Sequence, residues 1–409
     1  MKSISESASQ PPGFAVLLGV LLAGQTVGTM ASMMLPAVAP KVAETFGVDA
    51  SLIGYQISLL AAAMLVSLVF GSNLSTRWGA CRVTQAGLGL MSGGCLLATA
   101  PHIGFLFLSA IGLGLGYGLL TPAASHLLMR FTPAGKRNLI FSLKQSGVPL
   151  GGIFAALITP AVAVAIGWQW ALAGNALLLL LLVFLLQQAR SWWDDDRQPA
   201  ARFILNPFGG IATVWNHPAL RLLSIAGGCF VIVQICVSTF TVVLFAEEMH
   251  VGLIQAGLVL TASQVGGVTG RIFWGWLADV TRNCFVALAL LALVMLATCL
   301  MVIAITPGWP VLVSSVLFFV IGSTASGWNG AFLAEVARLS PQDAISRATG
   351  GSLVFVNAGK MMGPILFANA YLLGGSYTLA FGLLALPAAA GLACLVAVYY
   401  GEAHATASP

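Results

Sequence analysis

The chain has 409 residues, of which 59% are hydrophobic and only 7% charged, and its mean hydropathy is +0.97. Soluble domains carry roughly 25% charged residues, so no aqueous surface can be assembled from this composition. The fold class it predicts is an all-α polytopic membrane protein; the net charge of +5 points to no nucleic-acid partner once the charges are placed.

The first dozen residues are polar, with Lys2 and Glu6 the charged ones. A full-length apolar span opens at about Phe14. It is too long for a signal-peptide core and has no clear cleavage site, so it reads as the first transmembrane helix. Breaks at charged and Pro/Gly-rich positions then give twelve spans, at 14–36, 52–74, 83–100, 103–129, 139–164, 168–188, 219–246, 253–277, 284–305, 310–336, 348–372 and 376–400. Each approaches the roughly 20 residues that cross a hydrocarbon core. The long polar interval 189–218, "RSWWDDDRQPAARFILNPFGGIATVWNHPA", divides them six and six. The expected domains are an N-terminal six-helix bundle (1–188), a central loop (189–218) and a C-terminal six-helix bundle (219–409).

Lysine and arginine set the orientation. One side holds Lys2, Arg77, Arg82, Arg130, Lys136, Arg137, Arg190, Arg197, Arg202, Arg221, Arg282, Arg338 and Arg347; the other holds Lys41. Both termini and the central loop are therefore expected in the cytoplasm. Lys144, Arg271 and Lys360 remain, inside spans. Seven cysteines, at 81, 95, 229, 236, 284, 299 and 394, show no CxxC or metal-ligand spacing. They read as small apolar packing residues, and neither a metal nor a cofactor is expected.

The two halves resemble each other. "LLMRFTP" (127–133) matches "EVARLSP" (335–341), and "KQSGVPLGGI" (144–153) matches "VNAGKMMGPI" (356–365) at Gly147/Gly359, Gly151/Gly363 and Ile153/Ile365. Parallel six-span repeats are a layout of secondary transporters; close helix packing alone also explains the glycines. "GRIFWGWLADVTR" (270–282) places Gly275, Asp279 and Arg282 in the spacing of a loop motif. Its counterpart, "SNLSTRWGACR" (72–82), keeps Arg77, Gly79 and Arg82 but has Thr76 where the acid is expected.

With these motifs the whole chain resembles the major facilitator superfamily. The resemblance implies that Asp279, Arg282, Gly275 and Arg77 form a conformational latch at the cytoplasmic ends of helices. It also implies a central cavity bordered by spans 8 and 11. There Arg271 is similar to the anion-contacting arginine of monocarboxylate transporters and of the oxalate:formate antiporter group, the latter of which also uses a lysine in its eleventh span, as Lys360 is here. The first span lacks the acidic, tryptophan-containing signature of animal monocarboxylate transporters, and "FSLKQSGVPLGG" instead resembles the glycine–proline motif of antiporters.

No span has an Asp or Glu near its middle, which counts against a proton-coupled sugar or drug carrier. Lys360 lies about 12 residues, or roughly 18 Å, into span 11. A charge there costs about 2.5–3.5 kcal/mol on insertion scales. The cations thus read as a site for an organic anion that brings the missing counter-charge. Lys144 has a second reading, snorkelling to the interface, and Arg271 a second, bonding to carbonyls or a neighbouring helix. Gln25, Trp328 and Asn329 are the first candidates to complete the pocket, ahead of Gln56, Gln234, Gln264, Asn357 and Tyr117. Each also reads as an ordinary helix–helix contact. His126 reads as interfacial packing. "GLGLGYG" (112–118) lacks the strand–turn–helix of a dinucleotide site, and "AGKMM" lacks the first glycine and the Ser/Thr of a phosphate loop.

The expected function is secondary active transport of a small carboxylate by alternating access, as an anion exchanger or a proton-coupled symporter, and no enzyme. The alternative is an exporter of neutral or acidic amphipathic compounds. The expected partners are the anion, a proton or counter-anion, and the lipid bilayer. A monomer in the cell membrane is expected, and the short loops point to a bacterial inner membrane.

Overall fold

The computed structural model describes residues 13–133, 136–201, 207–341 and 344–407. Lys2, Arg202, Glu6 and Asp343 lie outside the described residues. Every regular element described is helical. In the first half these are α1 (Phe14–Ala37), α2 (Ala39–Phe46), α3 (Ile53–Trp78), α4 (Ala80–Ala98), α5 (Gly104–Phe131), α6 (Arg137–Gln145), α7 (Gly147–Ala165) and α8 (Trp168–Trp193). The second half holds α9 (Pro207–Asn216), α10 (Pro218–Val243), α11 (Leu253–Thr281), α12 (Cys284–Val302), α13 (Val311–Leu339), α14 (Ile345–Gly374), α15 (Tyr377–Leu383) and α16 (Ala385–Ala407).

Among the described residues, ten helical segments are long and apolar enough to cross a membrane. The helices at predicted spans three and eight, α4 and α11, stand outside those ten. Their composition explains this: α4 carries Arg82, Gln85 and several glycines, and α11 carries Gln255, Gln264 and Arg271. Span five is broken at Ser146 into α6 and α7, and the last span is broken at Leu384 into α15 and α16. The predicted central loop is partly helical. At its start α8 runs on to Trp193, and at its end α9 packs on α14. There Gly210 lies against the Gly351 backbone and the Trp215 ring stacks on Phe355 at 6.3 Å.

The sequence repeat recurs in the packing. Gly151 of α7 meets the α1 backbone at Thr26 and Met30, and Gly147 meets Leu22 and Gln25. In the other half Gly359 of α14 meets the α10 backbone at Gly228, and Gly363 meets Ile232. In each case a small residue lets two backbones approach where a side chain would intrude. Buried apolar side chains form two clusters. One lies wholly between Leu17 and Trp193. The other runs from Val214 to Val398 and takes in Ala37, Ala39, Ala43, Ala50 and Ala156.

Those alanines belong to the end of the bundle that carries Lys41 and Asp49, or approach it, and there the two halves touch. Gly54 of α3 lies against Pro364 and Ala368 of α14, and the Tyr55 hydroxyl donates to Asn369 Oδ1 at 3.1 Å. Gly257 of α11 lies against Ala156 and Pro160 of α7. The bundle is closed at this end.

Helix starts at the opposite end are capped in two ways. Asn283 Oδ1 accepts from the Phe285 and Val286 amides at 3.0 and 3.3 Å and caps α12 locally. The corresponding helix of the first half, α4, begins after Gly79, whose φ of +97° suits glycine. Its cap comes from the central loop: Asp194 Oδ1 accepts from the Cys81 amide at 2.7 Å and Oδ2 from the Arg82 amide at 3.0 Å. A carboxylate on the positive end of a helix is favourable. Burial pushes the Asp194 carboxyl above its usual range, against the pull of those two amides and of Arg190. Nearby, Asp196 bonds His126 Nε2 at 2.8 Å, and Arg130 pairs with Asp195 at 2.7 Å and Asp196 at 3.1 Å. His126 therefore serves to dock this loop.

Two stability measurements check these contacts. Gly359→Val is expected to destabilise the purified protein by about 1–3 kcal/mol through overpacking, read as a lower melting temperature; an unchanged melt would mean that α14 and α10 are not held in contact. Asp194→Ala is expected to cost about 0.5–2 kcal/mol for a lost cap. Asp194→Asn keeps an acceptor and should lose less.

Candidate functional site

Three residues lie deep in the bundle yet retain accessible surface: Tyr117 on α5, Arg271 on α11 and Lys360 on α14. Side chains that are both deep and accessible face an internal space rather than packed protein. They are close enough to act on one another electrostatically. Arg271 lies within Coulombic reach of both Lys360 and the Tyr117 hydroxyl. The structure thus brings the two predicted cations of the second half together with a phenol from the first.

Arg271 is oriented from behind. Its Nε donates to the Ser326 carbonyl of α13 at 3.3 Å, and Asn329 Nδ2 donates to the same oxygen at 3.2 Å. One carbonyl therefore fixes both predicted residues. Trp328 stands elsewhere. It is 1% exposed and packed against Phe230 and Phe332, with its indole N–H donated to Ala325 O. It is a core side chain in this conformation, with no wall of the internal space. Lys360 has no hydrogen bond or ion pair among the described residues.

Lys144 does not snorkel. It is buried, and its Nζ donates to Gln25 Oε1 at 2.6 Å. Gln25 Nε2 donates to the Tyr117 hydroxyl at 2.8 Å, and Thr29 Oγ1 lies 3.0 Å from that hydroxyl. A chain of polar contacts therefore runs from Lys144 through Gln25 to Tyr117, which faces Arg271. The break at Ser146 leaves Lys144 at the end of α6, beside the glycines that admit α1. Gln264 of α11 lies against Gly152 of α7. Gln56 sits at the closed end, both polar atoms without a partner among the described residues. Thr29 and the Ser326 carbonyl were not singled out in the sequence. A threonine in a span is common, and a backbone carbonyl has no residue-type signal.

Among the described residues no carboxylate pairs with Lys144, Arg271 or Lys360. Each described Asp or Glu stands at a helix end or in a loop. The ion pairs Lys41–Glu44, Arg130–Asp195 and Arg338–Glu335 involve other cations. Glu248 accepts from Ser376, Thr378 and the Tyr377 amide, capping α15. Of the predicted latch, Arg77 Nε donates to Pro199 O at 3.2 Å. Asp279 and Arg282 carry no ion pair among the described residues; the Arg282 amide bonds Asp279 O where the helix ends with φ of 50°. No heavy atom within 4 Å would meet a Cβ on Gly275.

Replacing Gln25 by Leu removes the acceptor of a buried ammonium and is expected to cost about 1–3 kcal/mol. Lys144→Met added to it should recover much of that loss. Melts of both single variants and the pair measure the coupling, and purely additive losses would mean the bond contributes nothing.

Residues 20–364 match the Major Facilitator Superfamily. Among curated proteins, the chain is 30% identical over 119 residues to the putative metabolite transport protein YwtG of Bacillus subtilis, covering 28% of this chain and 26% of that one. It is 28% identical over 134 residues to the 4-hydroxybenzoate transporter PcaK of Acinetobacter baylyi, covering 32% and 29%. The match thus spans less than a third of either relative's length. Among solved structures, the nucleoside transporter NupG superposes with a TM-score of 0.78 at 13% identity, covering 94% of this chain and 100% of that one. The peptide transporter POT, in complex with sulfate, gives 0.74 at 17% identity, covering 95% and 96%. The family match over residues 20–364, with which the helical fold agrees, makes this chain a member of the Major Facilitator Superfamily, a multi-pass membrane transporter and not an enzyme.

Proposed function

We propose that the protein carries a small organic anion of the carboxylate class. The observation behind this reading is the pair Arg271 and Lys360, facing an internal space with no described carboxylate between the helix ends. Two like charges at low dielectric repel strongly, so the empty site resists occlusion. A bound carboxylate relieves that repulsion, Arg271 offering a planar fork and Lys360 a mobile point charge. Asn329, sharing the Ser326 carbonyl, keeps the fork in place, and Gln25 and Lys144 support Tyr117 on the opposite wall. Trp328 takes part only as packing behind α13. That one relative is named for 4-hydroxybenzoate, an aromatic carboxylate, supports the class.

The transport cycle follows as alternating access, residues 1–188 rocking against 219–409 about the central loop. Twelve crossings and a cytoplasmic location for the arginine-rich end and both termini accord with the lysine and arginine distribution. The less apolar α4 and α11 then cross between neighbouring helices. On this orientation the end at which the halves touch is the outer one, as an inward-facing state of the cycle requires. Gly275, Asp279, Arg282 and Arg77 act at the cytoplasmic ends in the opposite, outward-open state. Exchange for a second anion, or symport with a proton, meets the same need for neutralisation. A monomer in a bacterial inner membrane suffices. The alternative, export of neutral or acidic amphipathic compounds, rests on the glycine–proline stretch that opens α7.

Thermal melts of wild type and Lys360→Gln with a panel of mono- and dicarboxylates, 4-hydroxybenzoate included, separate the two. A ligand bound to the native state at a hundred times its Kd adds about 2.7 kcal/mol of apparent stability. The expected result is stabilisation by a carboxylate that Lys360→Gln loses, and that Arg271→Gln weakens at least roughly thirtyfold. Reconstituted vesicles should then show carboxylate counterflow with wild type only. Stabilisation by neutral amphipaths, with no response to any carboxylate, would sink the anion reading and favour the exporter.

A further inference from the structure

A second cluster of cations lies away from the internal site. Arg77 and Trp78 at the end of α3, Arg82 and Ala86 on α4, Arg190 on α8, and Arg197 and Pro199 beyond it line one cavity. Four arginines thus line one space, and no carboxylate is among its described lining residues. Asp194 accepts from the Cys81 and Arg82 amides and also pairs with one of the four, Arg190, whose Nε lies 3.8 Å away. Asp195 and Asp196 are turned to Arg130 and His126. Two of the arginines are held from behind: Arg77 Nε donates to Pro199 O at 3.2 Å, and Arg82 Nη1 to Gln85 Oε1 at 3.4 Å. Gln198 N, bonded to Thr76 O at 2.7 Å, fixes the loop that carries Arg197.

We propose that this cavity binds a phosphate-bearing anion, the headgroup of an acidic phospholipid being its source. Planar guanidinium forks match phosphate oxygens in pairs, and basic pockets beside transmembrane helices take acidic headgroups. The surroundings suit a lipid rather than a soluble ion. Trp78 is 52% exposed at the helix end, where an indole marks the membrane interface. Arg82, Ala86 and Leu90 follow at four-residue steps along one face of α4, and Leu90 is 43% exposed. An acyl chain attached to a headgroup at Arg82 has an apolar track to lie on. The Asp194 cap makes the site possible, since it holds the loop bearing Arg197 against the start of α4.

The test uses the full-length protein in neutral detergent, melted in the presence of phosphatidylglycerol, phosphatidylcholine or inorganic phosphate. Phosphatidylglycerol is expected to give a saturating rise in melting temperature and phosphatidylcholine none. Each arginine near an acidic headgroup contributes about a fivefold change in affinity. Arg82→Gln with Arg197→Gln, both exposed side chains, should therefore raise the half-saturating lipid concentration roughly thirtyfold. Each single change, which leaves the fold less disturbed, should raise it about fivefold. Lys136→Gln, a cation at the same end outside the cavity, should leave it unchanged. An arginine-dependent response to inorganic phosphate with none to phosphatidylglycerol would keep the phosphate chemistry and overturn the lipid as its source. Equal responses of wild type and the arginine variants, or an equal loss in Lys136→Gln, would overturn the site.

Discussion

Charge held in a low-dielectric bundle is the constraint on which the rest of this molecule depends. A lysine or arginine between membrane helices must be paired, hydrogen-bonded or hydrated. The protein uses a different solution for each of its three. Lys144 is bonded to Gln25 and sealed in; Arg271 leans on the Ser326 carbonyl; Lys360 faces the internal space. The first two solutions hold rigid geometry in place. The third leaves a charge without a partner among the described residues, the place at which the proposed anion would bind, and the neighbouring Arg271 adds to the need for one.

The glycine contacts are the second requirement, because they set where those charges stand. Gly147 and Gly151 bring α7 onto α1, which places Lys144 beside Gln25, and Gly359 and Gly363 bring α14 onto α10, which sets the register of Lys360. The same device serves in both halves, yet the outcomes differ. In one half the lysine meets a glutamine from the facing helix. In the other the adjoining lysine has no bonded partner among the described residues. The departure from symmetry, and not the symmetry, makes the site.

Much of the helix layout was legible in hydropathy, since apolar runs of that length have few other uses. The breaks at Ser146 and Leu384 were not, because an interrupted hydrogen-bond ladder leaves the apolar run unchanged. The helix Pro207–Asn216 was hidden in an interval that reads as polar loop. At the site, Arg271 and Lys360 stood out because burying charge is costly, and Gln25 because polar groups in spans are few. Trp328 shows the limit: an aromatic ring beside an asparagine on α13 gives no sign of which of them turns inward. Asp194 shows another. Its partners are backbone amides 112 and 113 residues away, and the missing acid at Thr76 gave a reason to look for a substitute but no place to look.

The central segment is anchored at two points, and the distance between them has a mechanical meaning. On one side the chain is pinned to the first half as far as Pro199, through Asp194, Gln198 and Arg77. On the other, α9 is seated on α14 from Pro207. Seven residues, 200–206, separate the two anchors in the sequence, and seven residues span at most roughly 25 Å. If the halves rock apart at this end as proposed, the length of that segment bounds their separation while both anchors hold. Lengthening it would change the widest opening of the mouth without touching any residue inside.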